Sequence, residues 1–301
     1  MKRIESRSNT ISTLQSRDFK SFMMATSLFI AIFILFPVFS YAASFKATIY
    51  PRRISAGDAF LIKVTGGQKL QLPSASLAGK TFYFTGCGEN CFVAIGAIDL
   101  NTRTGGHPVK VTVGTNQRTV RLSVKKTRFP ELRITLPEEK VKLSPEDLEI
   151  VKKESERLKA IFQTVSNKLW EGDFIRPLEN DTSTVFGAKR IMNKKMISIH
   201  RGMDIKGCAG EEVRASNSGR VLLAEELFFG GNTIVIDHGQ GIYTVYMHLS
   251  KFSVKPDSIV SKGDVIGLVG SSGRSTGPHL HFGVKVQDMN INPVSLLKLQ
   301  L

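Results

Sequence analysis

The chain has 301 residues, 42% of them hydrophobic and 8% aromatic, with 41 Lys and Arg against 26 Asp and Glu for a formal charge of +15. That is long enough for two domains and apolar enough for packed cores, which excludes a disordered chain. The positive excess favours anionic partners, but no run of basic residues interleaved with aromatics and no recognition-helix pattern is present, so nucleic acid is not expected among them.

The N-terminus reads as a targeting segment. Lys2, Arg3, Arg7, Arg17 and Lys20 precede an uncharged apolar run from Phe22 to Val38, followed by the small-x-small site Ser40-Tyr41-Ala42. Residues 1–42 are therefore expected to be a signal peptide cleaved after Ala42, or, since the run approaches the length that spans a bilayer, a retained anchor that ties the protein to the membrane. Either way the rest is exported, to the periplasm or cell envelope. Removing the segment, with its five basic and two acidic residues, takes away a net +3 and leaves +12.

From 43 to 138 short β-rich runs alternate with turn residues: Phe45 to Tyr50, Ala59 to Thr65, Lys80 to Thr85, Phe92 to Ile98, Val109 to Val113 and Thr119 to Val124, with Gly66-Gly67 and Gly105-Gly106 as turn signals between them. Strands at this spacing predict a small antiparallel β-sandwich with an accessory role. Cys87 and Cys91 flank a Gly-Glu-Asn turn, and in an oxidising compartment they are placed to close a disulfide. A metal site there would need two further ligands, and none is near. Cys208 is left over and is expected to be buried and inert.

A helical linker is expected over 139–172. Ser144-Pro145-Glu146-Asp147 reads as an N-cap, a proline in the first turn and acids at the positive end of a helix. Apolar residues at Leu148, Val151, Leu158, Ile161, Phe162, Val165 and Leu169 then predict about six turns running to Trp170. From 173 to 298 the pattern returns to strands: Arg220 to Ala224, Thr233 to Asp237, Ile242 to Met247, Val265 to Val269 and His281 to Val286. The whole is mainly β, with a compact, mostly antiparallel C-terminal domain.

Four of the six histidines fall in three short motifs of that domain: His200-Arg-Gly-Met-Asp204, Tyr246-Met-His248-Leu249, and Gly277-Pro-His279-Leu-His281-Phe282. Zinc takes imidazole nitrogen and carboxylate oxygen, and a catalytic site uses three protein ligands with a fourth position open to water. His200, Asp204 and His281 would supply those three, leaving His248 and His279 for proton handling. His279 and His281 lie two apart in a strand and so face one space. Gly202 is expected to let the backbone turn so that His200 and Asp204 reach one ion. His238, beside a Gly-x-Gly turn, reads as structural, and His107 as solvated. Ser271, Ser272 and Ser275 lie in a glycine-rich loop, either positioning substrate or forming the turn. That loop lacks the Gly-Lys-Ser/Thr ending of a phosphate loop.

Taken together the three motifs, with Gly270-Ser-Ser-Gly-Arg-Ser-Thr-Gly-Pro-His-Leu-His281, Arg190 ahead of them and Val235-Ile-Asp-His-Gly239, resemble the lysostaphin- and LytM-type zinc endopeptidases, which cut peptide bonds in cell-wall peptidoglycan. The likeness covers roughly Phe174 to Pro293. It implies a LytM-type peptidase domain, one Zn2+ per chain on His200, Asp204 and His281, and a catalytic pair of His248 and His279, without saying which of the pair takes which part. It implies hydrolysis of cross-bridges or stem peptides of peptidoglycan through a zinc-activated water. The rival reading is a non-catalytic wall-binding regulator of other murein hydrolases. Gly283, where such proteins often carry glutamate, and the Ile-Lys-Gly-Cys-Ala-Gly stretch after Asp204 depart from the usual pattern and bear on the groove. The stretch around Gly86 to Gly96 resembles the β domain that precedes the peptidase in some exported relatives, with autoinhibition or wall targeting as its implied role. The bond cleaved and the oligomeric state are not written in the motifs.

Overall fold

The computed structural model describes residues 45–67, 70–135, 143–193 and 196–301. The targeting segment read at 1–42 lies outside them, and among the described residues no helix is long and apolar enough to cross a membrane.

Nine short strands come first: β1 (Phe45–Tyr50), β2 (Arg53–Ser55), β3 (Ala59–Gly66), β4 (Ser74–Leu77), β5 (Lys80–Tyr83), β6 (Thr85–Gly88), β7 (Cys91–Ala97), β8 (Gly105–Val113) and β9 (Asn116–Lys125). They form a sheet in the order β1-β3-β7-β6 and another in the order β2-β9-β8-β4-β5. All these pairs are antiparallel except β2 with β9. Period-two alternation makes the sandwich: Val109, Val111 and Val113 of β8 and Leu122 and Val124 of β9 are buried while their neighbours face out. Phe60 of β3 and Phe82 of β5 meet edge to face, with centroids 5.9 Å apart. Gly105 and Gly106, read as a turn, belong to β8, because the hairpin with β9 closes further on, where Val113 pairs with Asn116. Cys87 and Cys91 are joined as a disulfide across the tight β6–β7 connection.

The connection onward holds β10 (Glu131–Ile134) and α1 (Pro145–Phe162). Ser144 caps the helix in a capping box with Asp147. It ends at Phe162, two turns short of the expectation. Beyond that point the chain finds partners outside the helix: Ser166 Oγ donates to Asp237 Oδ2 at 2.6 Å, and the amides of Leu169 and Trp170 both donate to His238 O. Val165 and Leu169, counted on the apolar stripe, are exposed. Only the end of the helix packs, with Leu158, Ile161 and Phe162 on Leu223, Leu227, Val235, Tyr243 and Val245.

The C-terminal part contains β11 (Thr182–Thr184), β12 (Lys189–Met192), β13 (Met196–Ile199), β14 (Met203–Lys206), β15 (Glu212–Arg214), β16 (Gly219–Leu227), β17 (Gly231–Gly239), β18 (Ile242–Phe252), β19 (Ile259–Val260), β20 (Val265–Val269), β21 (His279–Val286), β22 (Met289–Ile291) and the short helix α2 (Pro293–Leu297). The main sheet is ten-stranded and runs β11-β14-β21-β18-β17-β16-β19, with β15, β20 and β22 attached to it. A separate sheet joins β10, β12 and β13. In it β10 lies parallel to β12, with Leu132 opposite Arg190. The buried apolar cluster runs without a break from Phe60 and Leu122 of the sandwich to Met203, Tyr246 and Phe282 of the main sheet. Polar contacts reinforce that join: Asn292 Nδ2 donates to Asp58 Oδ1 at 2.9 Å, and Gln240 Nε2 donates to Phe84 O at 3.1 Å.

Candidate active site

Strand register explains why residues far apart in the chain meet. On the main sheet Asp204 of β14 lies directly opposite His281 of β21, and Met247 of β18 lies opposite His281 on its other side. Just before β14, His200 is held by two backbone bonds, its amide donating to Ala188 O and its carbonyl accepting from Gly187 N, both at 2.8 Å.

The three side chains converge on one point. Asp204 Oδ1 lies 2.9 Å from His200 Nε2 and 2.8 Å from His281 Nδ1, and those two nitrogens are 3.0 Å apart. His200 uses its Nδ1 to donate to Val185 O at 3.0 Å, which leaves Nε2 as a lone pair aimed into the cluster. Lone pairs of two imidazoles and a carboxylate packed this closely repel one another unless a proton or a cation sits among them. Two nitrogens and one carboxylate oxygen are the donor set of a tetrahedral zinc site with one position open, and this set fits such an ion.

Asp204 is buried, and burial alone would raise its carboxyl pKa. The hydrogen bonds and charges of His200 and His281 outweigh that and hold it well below the usual carboxylate range. Its other oxygen, Oδ2, accepts from Nη2 of Arg190, so the guanidinium fixes which oxygen faces the histidines. The Nε of the same arginine is buried and has no hydrogen-bond partner among the described residues. Burial lowers the pKa of His281, against the pull of the Asp204 carboxylate.

His248 and His279 stand beside the cluster, their ring centroids 4.8 Å apart. Each donates Nδ1–H to a backbone carbonyl, His248 to Ser272 O at 2.9 Å and His279 to Gly277 O at 2.8 Å. Each therefore offers an unprotonated Nε2, and that of His279 lies 3.8 Å from Asp204 Oδ1. Burial, opposed by the bond to Ser272, holds His248 down to a pKa of about 4. It is neutral at pH 7 and able to accept a proton.

The placement of His248 is the feature that sequence reasoning missed. In a regular strand Met247 and His248 would point to opposite sides, and Met247 already shares the side of His281. Here the β17–β18 register shifts between Ile234 opposite Tyr246 and Asn232 opposite Leu249, and His248 takes a left-handed backbone with φ of +65°. A bulge of this kind re-aims a side chain, and it turns His248 to the cluster.

Gly202 has a role different from the expected one. Its backbone is not in the left-handed region, but a Cβ there would meet both His281 Nε2 and Phe282 O at 2.6 Å. The residue makes room for the ligand ring. Gly202→Ala is thus expected to push His281 out of line and weaken zinc retention by about tenfold to a hundredfold, the usual effect of disturbing the support of a metal ligand, as read by competition with a chromogenic chelator.

Of the loop serines, Ser272 donates to Leu249 O at 2.7 Å and accepts from Asn232 N, while Ser275 Oγ donates to Gly277 O at 2.7 Å. Both hold the loop that orients the two histidines. His238 is remote from the cluster and fully buried, bonded to Ser218 O at 2.8 Å and Thr244 Oγ1 at 2.7 Å. His107 bonds Arg103 O on the surface of the sandwich. Cys208 is exposed, contrary to expectation, because it sits in the turn between β14 and β15, where its amide donates to Glu211 Oε2.

The family model for peptidase family M23 matches residues 198–293, the stretch that carries all five of these side chains. Over 98 residues the chain is 43% identical to DD-carboxypeptidase/endopeptidase Mpg of Neisseria meningitidis serogroup B, covering 33% of this chain and 23% of that protein. It is 41% identical, over the same length and shares, to peptidoglycan DD-endopeptidase ShyA of Vibrio cholerae. The chain thus spans about a quarter of the length of these curated relatives. A crystal structure from Pseudomonas aeruginosa, described as an M23 peptidase, is 28% identical with a TM-score of 0.64, covering 81% of this chain and 94% of that one. The likeness in fold therefore extends from the main sheet well into the sandwich. By motif, by register and by family match, residues 198–293 of this chain are a peptidase family M23 domain.

Proposed function

We propose that the chain is an exported zinc metalloendopeptidase that hydrolyses peptide bonds of peptidoglycan cross-bridges or stem peptides. The observation that carries this reading is the convergence of His200, Asp204 and His281 with two further imidazoles at their side. The similarity to peptidoglycan DD-endopeptidases supports the substrate. The disulfide and the basic, then apolar N-terminus support export.

His200, Asp204 and His281 would hold the ion, with Arg190 keeping Asp204 in place. When bound, zinc lowers the pKa of a coordinated water towards about 7 and polarises a carbonyl oxygen. The chain's own part is proton handling and orientation. Because the Nδ1–H groups of His248 and His279 are taken by backbone carbonyls, each Nε2 is left as an acceptor, that of His279 lying 3.8 Å from Asp204 Oδ1. One of them takes the proton of the attacking water and returns it to the departing amine. Once protonated, such a ring is also a donor for the oxygen on which charge develops. The carbonyl of Ser272 and that of Gly277 fix both rings, so little reorganisation is needed as charge moves.

The test is release of new amino termini from purified sacculi by the zinc-loaded chain. A chelator is expected to stop it and added zinc to restore it. His248→Ala is expected to keep its zinc yet lose about 10²- to 10⁴-fold in rate, the usual worth of a proton-transfer group. A zinc-loaded chain that binds sacculi and frees no amino groups would overturn the enzyme reading in favour of a wall-binding regulator.

A further inference from the structure

The face of the sheet that bears the cluster continues past His281. Along β21, His279, His281, Gly283 and Lys285 alternate onto one side, and on β18 Met247, Val245 and Tyr243 lie opposite the last three of these. Helix α1 crosses this side with Leu158 and Phe162. A cavity of about 260 Å3 remains between helix and sheet, and His281 forms part of its wall.

Gly283 opens this space. A Cβ at that position would stand 3.5 Å from Val245 Cβ and 4.0 Å from both the Arg201 carbonyl and His281 Nε2. Those are ordinary contacts, so a Cβ is accommodated there, and a side chain built on it would occupy the cavity.

The walls are mainly apolar, with Met247, Val245 and Phe162 among them, and Arg201, Asn290 and His281 line the same space. Arg201 is exposed and makes no ion pair among the described residues. Lys285, the other cation here, is already answered. Its Nζ donates to Asp288 O at 3.1 Å and Asp288 Oδ1 at 3.2 Å and lies 4.6 Å from the centroid of the Phe162 ring.

His281 has a nitrogen to spare. Its Nδ1 faces Asp204 and His200, and no described group accepts a hydrogen bond from Nε2. With Nδ1 as a metal ligand, the ring proton sits on Nε2. Ligand imidazoles ordinarily give that second N–H to a carboxylate, a carbonyl or water. Here His281 and Arg201 both line the cavity, and a Cβ built on Gly283, which opens it, would stand 4.0 Å from Nε2.

We propose that this cavity is a substrate subsite for a carboxylate carried by the peptide next to the bond that is cut. The carboxylate sits between the Arg201 guanidinium and the His281 Nε2–H, and the apolar part of the same residue lies against Met247 and Phe162. The subsite rests on the zinc reading above, since that reading places the proton on Nε2. Its volume is below the roughly 300 to 1,000 Å3 of sites for drug-sized ligands, which suits one or two small residues. The carboxylate belongs either to a free C-terminus or to a side chain.

The test is titration calorimetry on the zinc-loaded full chain carrying His248→Ala, so that peptides are not consumed. One pair of probes is N-acetyl-D-alanyl-D-alanine and its C-terminal amide. The other is the amide of N-acetyl-D-alanyl-D-glutamate and its glutamine counterpart. Within at least one pair the free carboxylate is expected to bind about tenfold or more tighter, and the pair that does so identifies its source. Arg201→Gln, and separately Gly283→Glu, which supplies a tethered carboxylate and fills the space, are each expected to cut that preference to less than about threefold. Equal binding within both pairs, or a preference that survives in either variant, overturns the subsite. Zinc content measured on the same samples separates the failures: a zinc-loaded chain without preference removes the subsite alone, whereas a chain that takes up no zinc removes both readings.

Discussion

Asp204→Ala is expected to abolish zinc retention and hydrolysis together. The carboxylate supplies one of three donors, and Oδ1 is the atom on which His200 and His281 both converge. Removing it leaves the guanidinium of Arg190, whose Nε already has no partner among the described residues, facing two imidazoles in place of an anion. That guanidinium is partly exposed, at 27% of its side chain, so solvent answers some of its charge, but its repulsion works directly against a cation. Metal content after dialysis should fall from about one zinc per chain to near zero. Rates on sacculi should fall by about a thousandfold or more, or ~4 kcal/mol of transition-state stabilisation. Asp204→Asn keeps the shape and loses the charge, so it should fall between. A variant that keeps both metal and rate would show that the cluster is not the centre.

The second large effect concerns stability and acid. His238 is fully buried, and burial pushes its pKa down from 6.5 to about 4 even though Ser218 O stabilises the charged form. The folded state therefore binds this proton more weakly than the unfolded state. The stability it confers is complete above about pH 6.5 and is lost progressively as the pH falls towards about 4. A gap of that size is worth about 3 kcal/mol. Denaturant melts of the metal-free chain across this window should fall steeply, and burial of His248 adds to the fall with the same sign.

Replacing His238 by alanine should cost about 3 kcal/mol at pH 7.5, since it leaves Ser218 O without its partner, takes from Thr244 Oγ1 one of its two, and opens a void beside Phe174, whose ring centroid lies 5.2 Å away. The variant should also show a shallower dependence between pH 6.5 and 4. A parallel dependence in both proteins would mean that this imidazole is not what acid attacks.

Much of this was legible in the chain. Period-two alternation gave the strands their places, and a capping sequence marked the start of α1 at Pro145. His200, Asp204 and His281 could be grouped because each residue type suits a zinc ion and each lies in a short motif. What the one-dimensional pattern could not convey is register. Asp204 meets His281 because β14 and β21 pair at that rung, and His248 meets them only because a bulge turns it over. A bulge leaves no trace in hydropathy. The helix was overrun for a related reason: apolar spacing continued to Leu169, but Ser166, Leu169 and Trp170 found hydrogen-bond partners on β17 and in its turn. Arg190 stood out in sequence, yet its hold on Asp204 depends on β12, a short strand with a charged start and a parallel partner that no local propensity announces.

That parallel partner, β10, has a practical consequence. It arrives from the sandwich and zips onto the strand that carries Arg190, while the apolar cluster continues underneath from one part to the other. Trimming the chain to its M23 segment, residues 198–293, would remove β10, β12 and Arg190 together and lay Met203-side apolar surface and the α1 footprint at Leu223 and Tyr243 open to water. Shortened versions should therefore express poorly and clump, and any loss of potency in them reports on solubility before it reports on chemistry.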